Sequence, residues 1–229
     1  ITGLVLGLMM VQFALAQTAD SNKVQLKKNW YETFSIRGYA QVRYNGLFQT
    51  NPDLKNEQGD RSWGGNNGFF IRRLRLVFSG QLNKHVSFYI QPDFASSASS
   101  TSLHFGQIRD AYFDIGIDDK NEFRFRIGQS KIPYGFENMQ SSQNRLPLDR
   151  NDALNSAVAN ERDLGVFFYW ASAEKRKLFQ SLVSDGLKGS GDYGIIGIGA
   201  YNGQTANKPE LNNQQHIVAR VTYPFQLKS

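Results

Sequence analysis

The stretch Arg124–Glu137 reads RFRIGQSKIPYGFE, and its two halves call for different backbone states. Together with the preceding Phe123, Phe125 and Ile127 alternate with Arg124, Arg126 and Gly128. A period of two puts the apolar groups on one side of a strand and the guanidinium groups on the other. Pro133 then removes a ladder donor and Gly135 permits a turn, so Lys131 is expected where the strand gives way to a loop.

The same alternation recurs along the chain. Phe34, Ile36, Gly38, Ala40, Val42 and Tyr44 share one face, with Ser35, Arg37, Tyr39, Gln41 and Arg43 on the other. Eleven residues at ~3.3 Å each, tilted by about 45°, rise ~26 Å, close to the apolar band of an outer-membrane barrel. A second strand over 70–80 sets Leu74, Leu76 and Phe78 against Arg73, Arg75 and Ser79. Arg72 falls on its apolar face and is expected to snorkel to the interface. Further strands are read at Val86–Asp93, Ile108–Ile117, from Asp163 to Trp170, at Tyr193–Asn202, and around Ile217–Tyr223 opposite Arg220. Short polar turns at Asn83–Lys84 and Asp118–Asn121 alternate with longer links at 49–68, where Trp63 is a candidate interfacial anchor, at the Ser-rich 96–102, and at 134–160. A loop of about 27 residues is too long for an ordinary connection. Residues 171–192 read as a polar, Gly-rich link.

Composition sets the boundaries. The chain has 229 residues, 40% hydrophobic and 13% aromatic, a net charge of +6 and no cysteine. There is therefore no disulfide framework and no thiolate chemistry, and the basic balance points to anionic partners. Beyond the first residues no apolar run approaches the ~20 that a membrane helix needs. A transmembrane barrel stays hydrophilic on average, because only alternate residues face lipid. Residues 1–16, ITGLVLGLMMVQFALA, end in the small-x-small pattern Ala14-Leu15-Ala16 and read as a signal peptide with a truncated start, the alternative being a buried helix or anchor. Residues 17–31 form a polar N-terminal segment.

No catalytic motif is present: His85, His104 and His216 lie far apart, and Asp118 and Asp119 read as a turn rather than a calcium loop. Gly186, Gly189 and Gly191 read as loop rather than phosphate cradle. The alternation leaves a polar face carrying Arg37, Arg43, Arg73, Arg75, Arg124, Arg126 and Arg220, groups charged at any relevant pH and forked to match phosphate oxygens. The plain alternative is the solvated side of a soluble sheet. A secreted β-sandwich binding carbohydrate or another anionic ligand would share the alternation but needs two packed sheets. A nucleic-acid-binding sheet would mix aromatics and cations on one face, whereas here they are segregated.

The motif GQSKIPYGFE at 128–137 is followed by Arg145, Arg150 and ERDLGV at 161–166. With SIRGYAQVRY, FIRRLRLVFSG, IRDAYFDI and AYNG, in that order, it resembles the phosphate-selective porin O and P family. The resemblance implies an all-β, antiparallel transmembrane barrel of sixteen strands in the outer membrane of the Gram-negative envelope, assembled as a homotrimer and exported behind a cleaved signal peptide. It implies passive diffusion of phosphate or polyphosphate-type anions, no cofactor and no enzymatic activity. The eight strands at 32–229 then represent the N-terminal part of such a barrel. Lys131 joins the seven arginines on the anion pathway by this resemblance. Lys131, Tyr134, Glu137, Arg145, Arg150 and Asp163 are expected to form a constriction where loop 134–160 folds into the pore.

Overall fold

The computed structural model describes residues 29–46, 68–95, 106–147, 149–151 and 161–227. The expected leader, Trp63, the Ser-rich 96–102 and the second part of loop 134–160 lie outside the described residues.

Eight strands form one antiparallel meander: β1 (Ser35–Asn45), β2 (Gly68–Gln81), β3 (Val86–Asp93), β4 (Gln107–Gly116), β5 (Phe123–Lys131), β6 (Arg162–Trp170), β7 (Ile196–Tyr201) and β8 (His216–Val221). Each strand pairs with its neighbours in sequence. The result is one open sheet rather than two packed sheets. β7 is shorter at both ends than its alternation suggested. In register, Val86, Ile115, Phe125, Phe168, Ile198 and Ala219 form one row across β3–β8. Ile36, Val42, Phe113, Phe125, Val166, Ile198 and Ile217 on this outer side are exposed, an apolar face of the kind that lipid covers in a barrel.

Two bulges interrupt the ladder. Between β1 and β2, Gln41 faces Arg73 but Val42 faces Ile71, which leaves Arg72 as the extra residue. Between β3 and β4, Gln91 faces Asp110 but Pro92 faces Ile108, so Arg109 is extra there, beside a proline that cannot donate to the ladder. Arg72 thus does not take the apolar face that strict alternation assigns it. Its guanidinium bonds Asp149 together with Arg73.

The link after β6 is a second departure from expectation. A one-turn helix α1 (Phe136–Met139) lies in the β5–β6 loop, and a twelve-residue helix α2 (Ala173–Ser184) follows β6. Ser172 caps α2 by accepting the Lys175 N–H, Glu174 sits in its first turn, and Gly186 at φ +72° ends it. Phe179 packs with Ala171, Ile195 and Trp170. The helix lies against the β4–β5 turn, where Arg176 Nη1 donates to the Asn121 carbonyl at 2.7 Å and Ala173 N to Glu122 Oε1 at 2.8 Å. In that turn Asp118 accepts the backbone N–H groups of Lys120 and Phe123, the bonding of a turn carboxylate.

Candidate functional site

The inner face carries two kinds of surface. Over β6–β8 it is aromatic: Phe167 and Tyr169 are fully buried and pack with Ile132 and Val218. Their rings lie over Gly199 and Gly197, their register partners on β7, and a Cβ on Gly199 would run into the Phe167 ring. Over β2–β5 it is ionic. Arg126 lies opposite Asp114 in register, donates to both its oxygens at 2.7 and 2.8 Å, and stacks 3.9 Å over Tyr112, with Tyr193 and Tyr169 beyond. Arg75 bonds its cross-strand partner Asp93 at 2.7 Å. Arg124 and Arg176 share Asp192, at 2.7 and 2.8 Å. These arginines are paired with acids and locked.

Beyond the facing glycines Gly128 and Gly165 the simple alternation ends. Gly128 takes φ +125°, a backbone that glycine tolerates, and Gln129, Ser130 and Lys131 are all buried. Lys131 is the last residue of β5, in phase with Phe123, Phe125 and Ile127, yet its ammonium group bonds the carbonyls of Met139 (3.2 Å) and Gln140 in the loop.

From there the β5–β6 loop crosses to the far strands. Ser142 bonds Tyr39 and Arg75. Asp149 accepts from Arg43 (2.6 Å) through one oxygen, and from Arg72 (2.9 Å) and Arg73 (2.8 Å) through the other. Burial opposes the Asp149 charge, but Arg72, Arg73 and Arg43 outweigh it and hold the carboxyl below its ordinary range. The Gln140 side chain meets the Lys188 carbonyl, so the loop touches the link that follows α2.

At the loop's return, Glu161 meets Arg162 at 2.6 Å, Arg150 at 2.7 Å and Arg145 at 3.7 Å. Arg162 also grips Asp110 through two nitrogens at 3.0–3.1 Å. Lys131 and Arg109 add their fields at Glu161. Burial works against its charge too, but Arg162, Arg150, Lys131 and Arg109 hold the Glu161 carboxyl well below the usual value. Glu161 sits at φ +68°, a left-handed backbone that a non-glycine residue keeps only where its surroundings fix it. Among the described residues five basic side chains therefore crowd two carboxylates, Glu161 and Asp110, and Arg145 Nη2 is buried without a hydrogen-bond partner.

The remaining expected residues fall elsewhere. Asp163 accepts from the N–H groups of Gly203 and Thr205 and so anchors the β7–β8 loop. Glu137 bonds the Asn151 side chain, and Tyr134 is exposed. Arg220 is half-buried and bonds Thr222, while Arg37 lies exposed on the edge strand β1. Arg72, Arg109, Arg162, Asp149 and the central role of Glu161 were not foreseen. The first two are bulge residues that alternation hides, whereas Glu161 and Arg162 stand in the ERDLGV motif.

A family model described as phosphate-selective porin O and P matches residues 42–229. The chain belongs to that family. No curated protein matches it. The open all-β sheet suits a porin barrel. Porins O and P are channels of the outer membrane, a channel family rather than an enzyme family, and phosphate passage is the function their name carries.

Proposed function

We propose that this porin conducts anions by passive diffusion, phosphate and polyphosphate-type ions among them, and that its selectivity arises where Arg109, Lys131, Arg145, Arg150 and Arg162 surround Glu161 and Asp110. The single supporting observation is that surplus of basic over acidic side chains on the inner face, beside a loop that reaches from β5 to β1. A cationic zone between low-dielectric walls concentrates anions and excludes cations. Conduction then requires sites that bind well enough to draw an anion in and loosely enough to release it. The mated arginines Arg75, Arg124 and Arg126 build the wall, and Arg37, Arg43, Arg73 and Arg220 extend the positive field along it. Lys131 acts chiefly by holding the loop through the Met139 and Gln140 carbonyls. By family analogy the porin works as a homotrimer whose outer apolar face meets outer-membrane lipid.

The test is reversal potential in planar bilayers under a KCl gradient, with phosphate added to one side. The expected result is an anion-selective potential and a chloride current that phosphate depresses at low ionic strength, both fading at high salt as the field is screened. A cation-selective potential, or a chloride current indifferent to phosphate, would overturn the reading.

A further inference from the structure

The contact between Asp149 and Arg43, Arg72 and Arg73 has the chemistry of a bound ligand. Three guanidinium groups from two adjacent strands converge on one carboxylate, each within 2.9 Å. Arg43 and Arg73 are buried, and the Gln41 side chain holds the second Arg73 nitrogen in place. The third guanidinium is there because of the β2 bulge, since a regular strand would turn Arg72 to the opposite face. The carboxylate comes from a loop rather than a strand, and all three guanidinium groups share it. Asp149 also stands in the wall of a cavity of about 610 Å³, together with Arg150 and Lys188, so an anion in that cavity lies next to the cluster.

We propose that Arg43, Arg72 and Arg73 form an oxyanion site in which the Asp149 carboxylate is a tethered competitor, displaced by a permeant phosphate. The inference rests on the anion-porin reading above. Phosphate offers more acceptor oxygens and more charge than one carboxylate, and forked guanidinium groups reward both. Chloride has no directed acceptors and displaces Asp149 poorly, so the competitor weights passage toward oxyanions. Displacement frees Asp149 from the β1–β2 wall, while Lys131 and the Arg162–Glu161 pair still hold the two ends of the loop.

The experiment uses the intact porin in planar bilayers with inorganic phosphate as probe. Asp149→Asn keeps the shape and removes the charge. If Asp149 occupies the site about nine-tenths of the time, its removal tightens phosphate block of the chloride current about tenfold. Adding Arg72→Gln to that variant cancels the gain. An unchanged or weaker block in D149N overturns the proposal, provided wild type shows the block. A wild type without any block fails the porin reading instead. Because the chain has no cysteine, Leu146→Cys on the exposed part of the loop gives a second measurement that leaves Asp149 intact. Its modification rate by a cationic thiol reagent should rise with phosphate and stay flat with equal chloride. No phosphate dependence there also counts against the displaced loop.

Discussion

Two groups of arginines share the inner face and behave differently. Toward the β4–β5 turn, Arg124 and Arg126 have acids in place at 2.7 Å, one of them the direct cross-strand neighbour. At the loop's return, Arg145, Arg150 and Arg162 divide Glu161 among them. The comparison teaches that an arginine on the right face of a strand is not yet a free charge. A mated guanidinium adds structure, and only the surplus adds potential.

The comparison can be broken most severely at Arg162. Arg162→Leu strands Asp110 and leaves Glu161 with fewer partners, and breaking a buried ion pair from one side costs about 3–5 kcal/mol. We expect loss of heat-modifiable gel mobility, or a large drop in the urea midpoint of what assembles. Arg126→Leu exposes the same weakness at a mated pair. The expected loss is about 3 kcal/mol. In the double variant with Asp114→Asn the pair leaves as a neutral unit, so the reversal potential of the assembled fraction should stay close to wild type. A large change of selectivity in that double variant would erase the distinction between mated and surplus arginines.

Gly199→Ala probes the aromatic half. The added methyl meets the Phe167 ring, an overpacking cost of about 1–3 kcal/mol read from the unfolding midpoint, with selectivity unchanged. Arg145→Gln should do the opposite. Its contact with Glu161 is a loose 3.7 Å and its Nη2 is buried without a hydrogen-bond partner, so the loss of stability should be smaller than for Arg162→Leu while the reversal potential moves toward zero.

Acid sharpens the comparison with the smallest effect near neutrality. Asp149 and Glu161 titrate below their ordinary values in the folded protein. The stability they contribute is present above the unfolded carboxylate value of about 4 and is lost as pH falls through the folded values. Loop docking, read as resistance to protease, should be flat from pH 8 to about 5 and fall below pH 4.

Much of the sheet was legible in the sequence, because a half-covered strand writes its two environments as alternation. Phe125 beside Arg126, and Val166 beside Phe167, declare their sides, although Phe167 and Tyr169 show that the inner side is not uniformly polar. The turn at Asp118 was legible from composition. Helix α2 was written in Ser172, Glu174 and Gly186, but its few apolar positions gave a weak period. The ion pairs were not legible: Arg124 finds Asp192 68 residues away, and Arg43 finds Asp149 106 residues away. The bulges hid Arg72 and Arg109, since one extra residue reverses the apparent side. The family motif drew attention to Lys131 but could not say that its ammonium group would end on backbone carbonyls.

Every strand pairing here joins sequence neighbours, so each hairpin can form from chain already at hand, whereas closing a long span before any contact rewards it is slow. The contacts that tie the loop to β1 and β2 span 67 to 106 residues. The sheet is consequently expected to form early and the loop to dock on it late. A kinetic trace of folding should show sheet formation first and protection of the β5–β6 loop after it.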